Sequence, residues 1–402
     1  MGQTTPAVRA EALARYVPRV ASQWDSSRRH QVVDATLCMA DISGFTALSE
    51  QLARRGRIGA EELTTVLNRV FGEMLTLAYS RGGSLLKFGG DALLLMFSGE
   101  DHPRQAVSAA IEMRSALRAA TRIPISTGRL KLGMSIGIES GPVDLFLVGE
   151  SHRELVVSGP TSTCTTELEK VAGTGDIVVG PTAQASLAPS AVGEPRGAGA
   201  LVRSRTPFLR PVGPITRLDQ DPAVLARLIP LALRRHLESG RGEPEHRIAT
   251  IAFFRFGGVD RLLADSGPEA AAEAIELLIT AIQGGADQEE VTFLGTDVDA
   301  GGGKIILAGG VPLAREDDEG RILRVARRGI ESGSVLSLQV GVNRGHVFAG
   351  DIGTDFRSTY TVIGDAVNLA ARLMAAAPVG GLLATATVLD RSRTRFDVAP
   401  VE

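Results

Sequence analysis

The sequence has only two cysteines, Cys38 and Cys164, and they fall in different segments. A disulfide-stapled scaffold is therefore excluded. Each thiol reads as a small buried hydrophobe, in keeping with a reducing, cytoplasmic setting. No run of about 18 or more apolar residues occurs, so no transmembrane helix is expected, and the N-terminus lacks the short apolar core of a signal peptide. An excess of one charge is missing too. With 43 basic and 46 acidic side chains the net charge is −3, and no global basic field draws the chain to nucleic acid or to anionic lipid. The six histidines are scattered without metal-ligand spacing, which leaves no histidine cage.

The sequence does have length and repetition. At 402 residues it exceeds one ordinary core and suits two domains of under about 200 residues each. The first half reads as a strand at Asp34 to Ala40, helices at Ala47 to Arg54 and Glu61 to Tyr79, and a hairpin formed by Leu85 to Phe88 and Ala92 to Phe97. A helix near Pro103 to Arg118 follows, then strands at Leu130 to Ile138 and Val143 to Val148, and a helix at Thr161 to Val171. The order recurs after a Gly-, Pro- and Arg-rich stretch. Ile248 to Phe254 is a strand, Pro268 to Ile282 a helix, Val291 to Leu307 a Gly-rich hairpin and Arg321 to Ile330 a helix. Strands at Leu336 to Val342 and Val347 to Gly350 precede a helix at Val367 to Ala377. Even the lead-in repeats, with Tyr16-Val17-Pro18 echoed by Leu228-Ile229-Pro230. Self-similarity at roughly 205 to 215 residues marks a duplication, not a solenoid. The expected fold class is α+β, with helices on one face of each sheet. Residues 1–30 form an N-terminal helical segment, 31–200 the first domain, 201–245 a linker with a helix and 246–402 the second domain. The final residues, Arg395 to Glu402, look like the entrance to a last strand, so the native protein is expected to continue into downstream domains.

Chemistry is divided between the copies. The first carries ADISGFT and KFGGDALLLMF, placing Asp41 at a strand end and Asp91 in a hairpin turn. Two carboxylates with phosphate oxygens are what Mg²⁺ or Mn²⁺ prefers, and two such ions can activate an attacking oxygen and neutralise a leaving pyrophosphate. Ser43-Gly44 turns the chain sharply into a helix whose unpaired N–H groups suit a triphosphate. The second copy has Arg255 where Asp41 stood, yet it alone carries TVIGDAVNLAARLM, with Asn368 and Arg372 four apart on one helical face. In the first copy those two places hold Thr163 and Glu167.

Together these motifs resemble the class III nucleotidyl cyclase family, over nearly the whole chain and as two tandem homology domains. The likeness is greatest to soluble, bicarbonate-regulated-type adenylyl cyclases. It implies two ferredoxin-like domains forming an intramolecular pseudo-heterodimer, monomeric as a chain, with one competent interface site. By the resemblance, Asp41 and Asp91 hold two Mg²⁺ or Mn²⁺ ions, helped by the Ile42 carbonyl. Ser43, Gly44, Phe45 and Thr46 cradle the β- and γ-phosphates, Asn368 orients the ribose and Arg372 stabilises the α-phosphate. Thr361 stands where the family reads the purine. The expected purine lysine of the second hairpin is absent, and Asp297 or a displaced Lys304 takes its place. The implied reaction is ATP to cyclic AMP and pyrophosphate. GTP as substrate, and a catalytically weak nucleotide-sensing module, stay open as alternatives. In the second, degenerate pocket Arg255 is expected to face Glu167, with Lys87 pointing into the same pocket as a binding group for bicarbonate or another small regulator.

Two lookalike motifs fall away. Gly301-Gly302-Gly303-Lys304 lacks the outer glycine and the Ser/Thr of a phosphate-binding P-loop. Phe88-Gly89-Gly90-Asp91 resembles the GGDEF motif of diguanylate cyclases but is followed by Ala92-Leu93, not by acidic and aromatic residues.

Overall fold

The computed structural model describes residues 12–401 apart from 121–123, 127, 130, 204–211, 213–219 and 241–242. The N-terminal helical segment expected over 1–30 lies partly outside this range; within it, Arg19–Ser22 is a helix. Among the described residues no helix is long and apolar enough to cross a membrane.

Domain one is built on β1 (His30–Ser43). Leu37 and Met39 point to one face of this strand while Cys38, Ala40 and Ile42 point to the other, and both sets are buried. An unbroken apolar run of this kind is what a central strand covered on both sides requires. After β1 come α1 (Phe45–Ala53), α2 (Gly56–Ser80), the hairpin β2 (Gly83–Gly89) and β3 (Ala92–Ser98), and α3 (His102–Ala120). Then follow β4 (Gly133–Val148), β5 (Glu154–Ser158), α4 (Pro160–Val171) and β6 (Ile177–Val179). The sheet order is β2-β3-β1-β4-β6, extended by a hairpin of β7 (Val192–Arg196) and β8 (Gly199–Val202), with β5 paired to β4. Part of the supposed linker is thus a sheet edge.

Domain two repeats the plan. β9 (Glu245–Gly257) is central, α5 (Val259–Gln288) kinks at Gly267, and β10 (Thr292–Asp299) and β11 (Gly302–Gly309) form the hairpin. α6 (Asp318–Ile330), β12 (Ser337–Gly353), β13 (Ser358–Ile363), α7 (Asp365–Ala376) and β14 (Leu382–Ala384) complete it, in the order β10-β11-β9-β12-β13 with β14 parallel to β12. No further strand lies between Arg395 and Val401.

Two expectations need correction. Each pair of short strands in the second half of a domain is one long strand, β4 or β12. Gly141-Pro142 and Arg344-Gly345 look like breaks, but they stay paired with Ala35 and Asp34 of β1 and with Thr250 and Ala249 of β9. A long central strand on the neighbouring side holds the ladder through them. The helices also occupy both faces of the sheet. α1 to α3 cover the outer core of domain one, whereas α4 and α7 lie on the inner faces, where the two sheets meet.

Glycine makes that inner seat possible. A Cβ on Gly137 would sit 2.4 Å from the Glu169 amide, and one on Gly341 would sit 2.1 Å from the Met374 amide. Each glycine pairs across the ladder with an inward residue, Met39 or Phe253. Between the sheets runs one apolar layer with Leu37, Met39, Leu94 and Met96 from domain one and Ile251, Phe253, Val347 and Val362 from domain two.

Candidate active site

Asp41 follows the buried run Ala35–Ala40 of β1 and pairs with Ala92, the residue after Asp91. The Ile42 amide donates to the Asp91 carbonyl at 3.1 Å. Strand register therefore sets the two carboxylates side by side. Gly44 then turns at φ 107° into α1, and a Cβ there would meet the Lys131 carbonyl at 2.3 Å. Only glycine adopts that turn beneath that carbonyl without strain. The side chains of Ile42 and Phe45 are fully buried, so these residues offer the site only backbone groups, together with those of Ser43, Gly44 and Thr46.

Across the interface, the Asn368 side-chain amide of α7 donates to Thr46 Oγ1 at 3.1 Å. Asp91, Asp297, Lys304, Thr361 and Asn368 line one cleft of ≈ 190 Å³ between the domains. With Thr46, which also lines it, six of the predicted or suspected residues thus meet, while Asp41 lies beside the cleft and not among its lining residues. Asp297 reaches domain one so closely that a Cβ on Gly89 would lie 2.7 Å from its carboxylate. Arg372 is not gathered in. Its side chain is exposed, outside the cleft lining, with Nη2 3.5 Å from Asp365 on the same helix.

Charge is crowded in this cleft. Burial pushes Asp91 up to about 7, and the neighbouring Asp41, Asp297 and Glu169 charges add to the rise. Asp41 is raised by burial and Asp297, against the pull of Lys304. Glu169, held by Ser135 Oγ at 2.8 Å, is raised by burial and by Asp41. Sequence reading missed Glu169: its counterpart in the second copy is Met374, so the repeat gives no signal there. Among the described residues no three acidic, histidine or cysteine side chains form a ready-made metal cage. The fit is instead that of an under-neutralised carboxylate pair, which suits a divalent ion completed by ligand oxygens.

Asp91 binds its proton more tightly folded than unfolded, so ionising it costs stability as pH rises from about 4 to about 7. Asp91→Asn is therefore expected to raise the Tm of the metal-free protein at about pH 8 and to leave it unchanged near pH 4. Thermal melts with chelator at both pH values check this; an unchanged Tm at pH 8 would count against the crowding.

Comparison with known proteins decides the family. The model for the adenylate and guanylate cyclase catalytic domain matches residues 27–202 and 245–401. The chain belongs to the class III nucleotidyl cyclases. It is 26% identical over 176 residues to rabbit (Oryctolagus cuniculus) adenylate cyclase type 10, covering 42% of this chain and 11% of that protein. To human adenylate cyclase type 10 it is 26% identical over 152 residues, covering 37% and 9% respectively. The matched region is thus about a tenth of the length of these relatives. In fold it is similar to a class III adenylyl cyclase-like ATP-binding protein from Pseudomonas aeruginosa, with a TM-score of 0.64 over 97% of this chain and 94% of that one at 12% identity.

The pseudo-twofold counterpart of this site in the chain carries different chemistry. Arg255 pairs with Lys304 as Asp41 pairs with Ala92. Thr163 Oγ1 donates to Asp260 Oδ2 at 2.7 Å, the counterpart of the Asn368–Thr46 bond. Arg255 does not face Glu167, however. Its Nε lies 2.7 Å from Asp299, and Lys170 approaches the same carboxylate at 3.3 Å, while Glu167 is exposed. The reason is hairpin length. The β2–β3 ladder closes at Gly89–Ala92, but the β10–β11 ladder runs two pairs past the equivalent Asp297–Lys304, to Asp299–Gly302. The longer tip brings Asp299 to Arg255, and the Gly301 amide donates to Thr163 Oγ1 at 2.8 Å. Burial pushes Asp299 up, but Lys304, Lys170 and Arg255 together hold it below the usual range. Lys87 Nζ lies 2.6 Å from Glu154 and 2.7 Å from Thr296 Oγ1.

Proposed function

We propose that the chain is an adenylyl cyclase that converts ATP to 3′,5′-cyclic AMP and pyrophosphate at the interdomain cleft that Asp91 and Asn368 share. The observation that carries this reading is the shared cleft itself, with Asp91 from one domain and Asn368 and Thr361 from the other on its walls. Asp41, Asp91 and the Ile42 carbonyl would hold two Mg²⁺ or Mn²⁺ ions, which supply charge neutralisation for the triphosphate and the leaving pyrophosphate. The amides from Ser43 to Thr46 bind the terminal phosphates at the start of α1. Asn368 orients the ribose, and Thr361 and Asp297 contact the purine edge. The ribose 3′-hydroxyl gives its proton to solvent and its oxygen attacks the α-phosphorus in line; the O3′–P bond forms as the bond to the bridging oxygen of the β-phosphate breaks and pyrophosphate leaves. Arg372 leaves Asp365 to meet the α-phosphate, a bidentate partner as charge builds there.

In this reading the domains are 31–200 and 246–402, joined by 201–245, and the protein is a cytosolic monomer, consistent with two unpaired thiols. A bicarbonate regulator would have to compete with Glu154 for Lys87. A second reading, a weakly active nucleotide-sensing module, is favoured by one observation: Arg372 is turned toward Asp365. Incubating purified protein with ATP or GTP and Mg²⁺ or Mn²⁺ separates the readings. Cyclic AMP is the expected product. Cyclic GMP alone would reassign the purine, and no cyclic nucleotide in any combination would favour the sensing module.

A further inference from the structure

Next to the catalytic cleft lies a separate cavity of ≈ 90 Å³, which the proposed reaction does not use. Both lead-in motifs wall it, Tyr16 and Pro18 from the first copy and Leu228 to Pro230 from the second. The rest of its apolar wall includes Leu86, Leu155, Leu233 and Leu237. Its charged lining is unbalanced: Lys87, Arg153 and Arg357 against the single carboxylate of Glu154. Glu154 is already committed. Burial pushes it up, but Lys87 and His152 outweigh this and hold it far below the usual carboxylate range. Arg153 gives its guanidinium to the Leu147 and Gly149 carbonyls.

Arg357 is different. It is 5% exposed and has no carboxylate partner among the described residues. One nitrogen, Nη1, donates to the Arg15 and Ser358 carbonyls at 3.1 and 3.0 Å, and the guanidinium lies 5.8 Å from the centre of the Phe88 ring. Nε is buried with no acceptor. A guanidinium stays charged under such burial, and a buried charge without a counter-ion is costly. An anion delivered to the cavity relieves that cost. Its size is bounded: a single water needs roughly 10–15 Å³ of such space, so the cavity takes several heavy atoms but no nucleotide.

We propose that this cavity is a binding site for a small monocarboxylate with a short apolar tail, its carboxylate on Arg357 and its tail among the leucines. Lys87 is not the anchor, since Glu154 already neutralises it. Phe88, Leu294, Gly295, Thr296, Thr359 and Tyr360 wall both this cavity and the catalytic cleft, so an occupant braces the inner wall of the cleft.

Thermal unfolding of the full chain in sodium butyrate, with sodium chloride and sodium bicarbonate at matched pH and ionic strength, tests the site without relying on cyclase activity. Butyrate is expected to give a saturable rise in Tm, roughly 3 to 6 °C at about a hundred times Kd, and the two inorganic salts none. Arg357→Gln should abolish the response, but that change also loosens the Arg15 and Ser358 carbonyls. Leu237→Phe, which fills the tail space and leaves the cation, is the second variant; it should fold with near wild-type Tm and lose the butyrate shift. No saturable shift in the wild type, an undiminished shift in Leu237→Phe, or bicarbonate matching butyrate would overturn the proposal.

Discussion

Replacing Asp41 by alanine is expected to lower the rate of cyclic nucleotide formation roughly 10³-fold or more, about 4 kcal/mol of barrier. Asp41 is positioned by the longest ladder in its domain, paired to Ser135 on one side and Ala92 on the other, so the backbone should not move when the carboxylate goes. The loss should therefore be one of charge, not of fold. Two measurements separate these: turnover with saturating Mn²⁺ and ATP, and Mn²⁺ binding without nucleotide. Both should collapse while Tm holds or rises, because Asp41 adds to the repulsion that elevates Asp91. A variant retaining a tenth or more of the activity would remove Asp41 from the site.

Gly341→Val is expected to abolish activity by a different route and to cost about 3 kcal/mol or more of stability. The new Cβ alone would meet the Met374 amide at 2.1 Å and the Ala370 carbonyl at 2.3 Å. Neither is the end of a flexible side chain, so α7 itself must lift from the sheet. Asn368 and Arg372 ride on that helix, and a shift of an ångström in positioning groups can cost about 10² in rate. Gly137→Val is the instructive control. It should be destabilising in the same way, since a Cβ there lies 2.4 Å from the Glu169 amide, but it displaces α4, which carries none of the proposed catalytic groups. Circular dichroism melts and cyclase assays on both variants check the pair. Equal residual activity would mean that α7 is not the helix that matters.

Much of the site was legible because its signals are local. Asp41 before Ser43-Gly44 and Asp91 after Gly89-Gly90 carry their turn chemistry with them, and the i, i+4 spacing of Asn368 and Arg372 needs only a helix. The duplication told which residues to compare, and Arg255 does stand in the register position of Asp41. What stayed hidden depends on distant pairing. Glu169 nears Asp41 only through the bond to Ser135. Sequence comparison sets Arg255 opposite Glu167 because it does not register a hairpin two pairs longer, and that extension delivers Asp299 instead. In the long strands β4 and β12, composition argues for a turn at Gly141-Pro142 and near Arg344-Gly345, and the neighbouring strand overrules it. Arg372 shows the same limit: spacing puts it one turn from Asn368 on α7 but leaves its rotamer to Asp365.

The extended β10–β11 tip also bears on how such a molecule can arise. In a symmetric dimer of identical subunits every substitution is made twice, once at each cleft, so an arginine in the place of Asp41 would alter both. Joining the copies in one chain separates those fates. Arg255, Asp299 and Lys170 could come to close one cleft while Asp41, Asp91 and Asn368 were kept at the other, and from then on neither half could serve as its own partner.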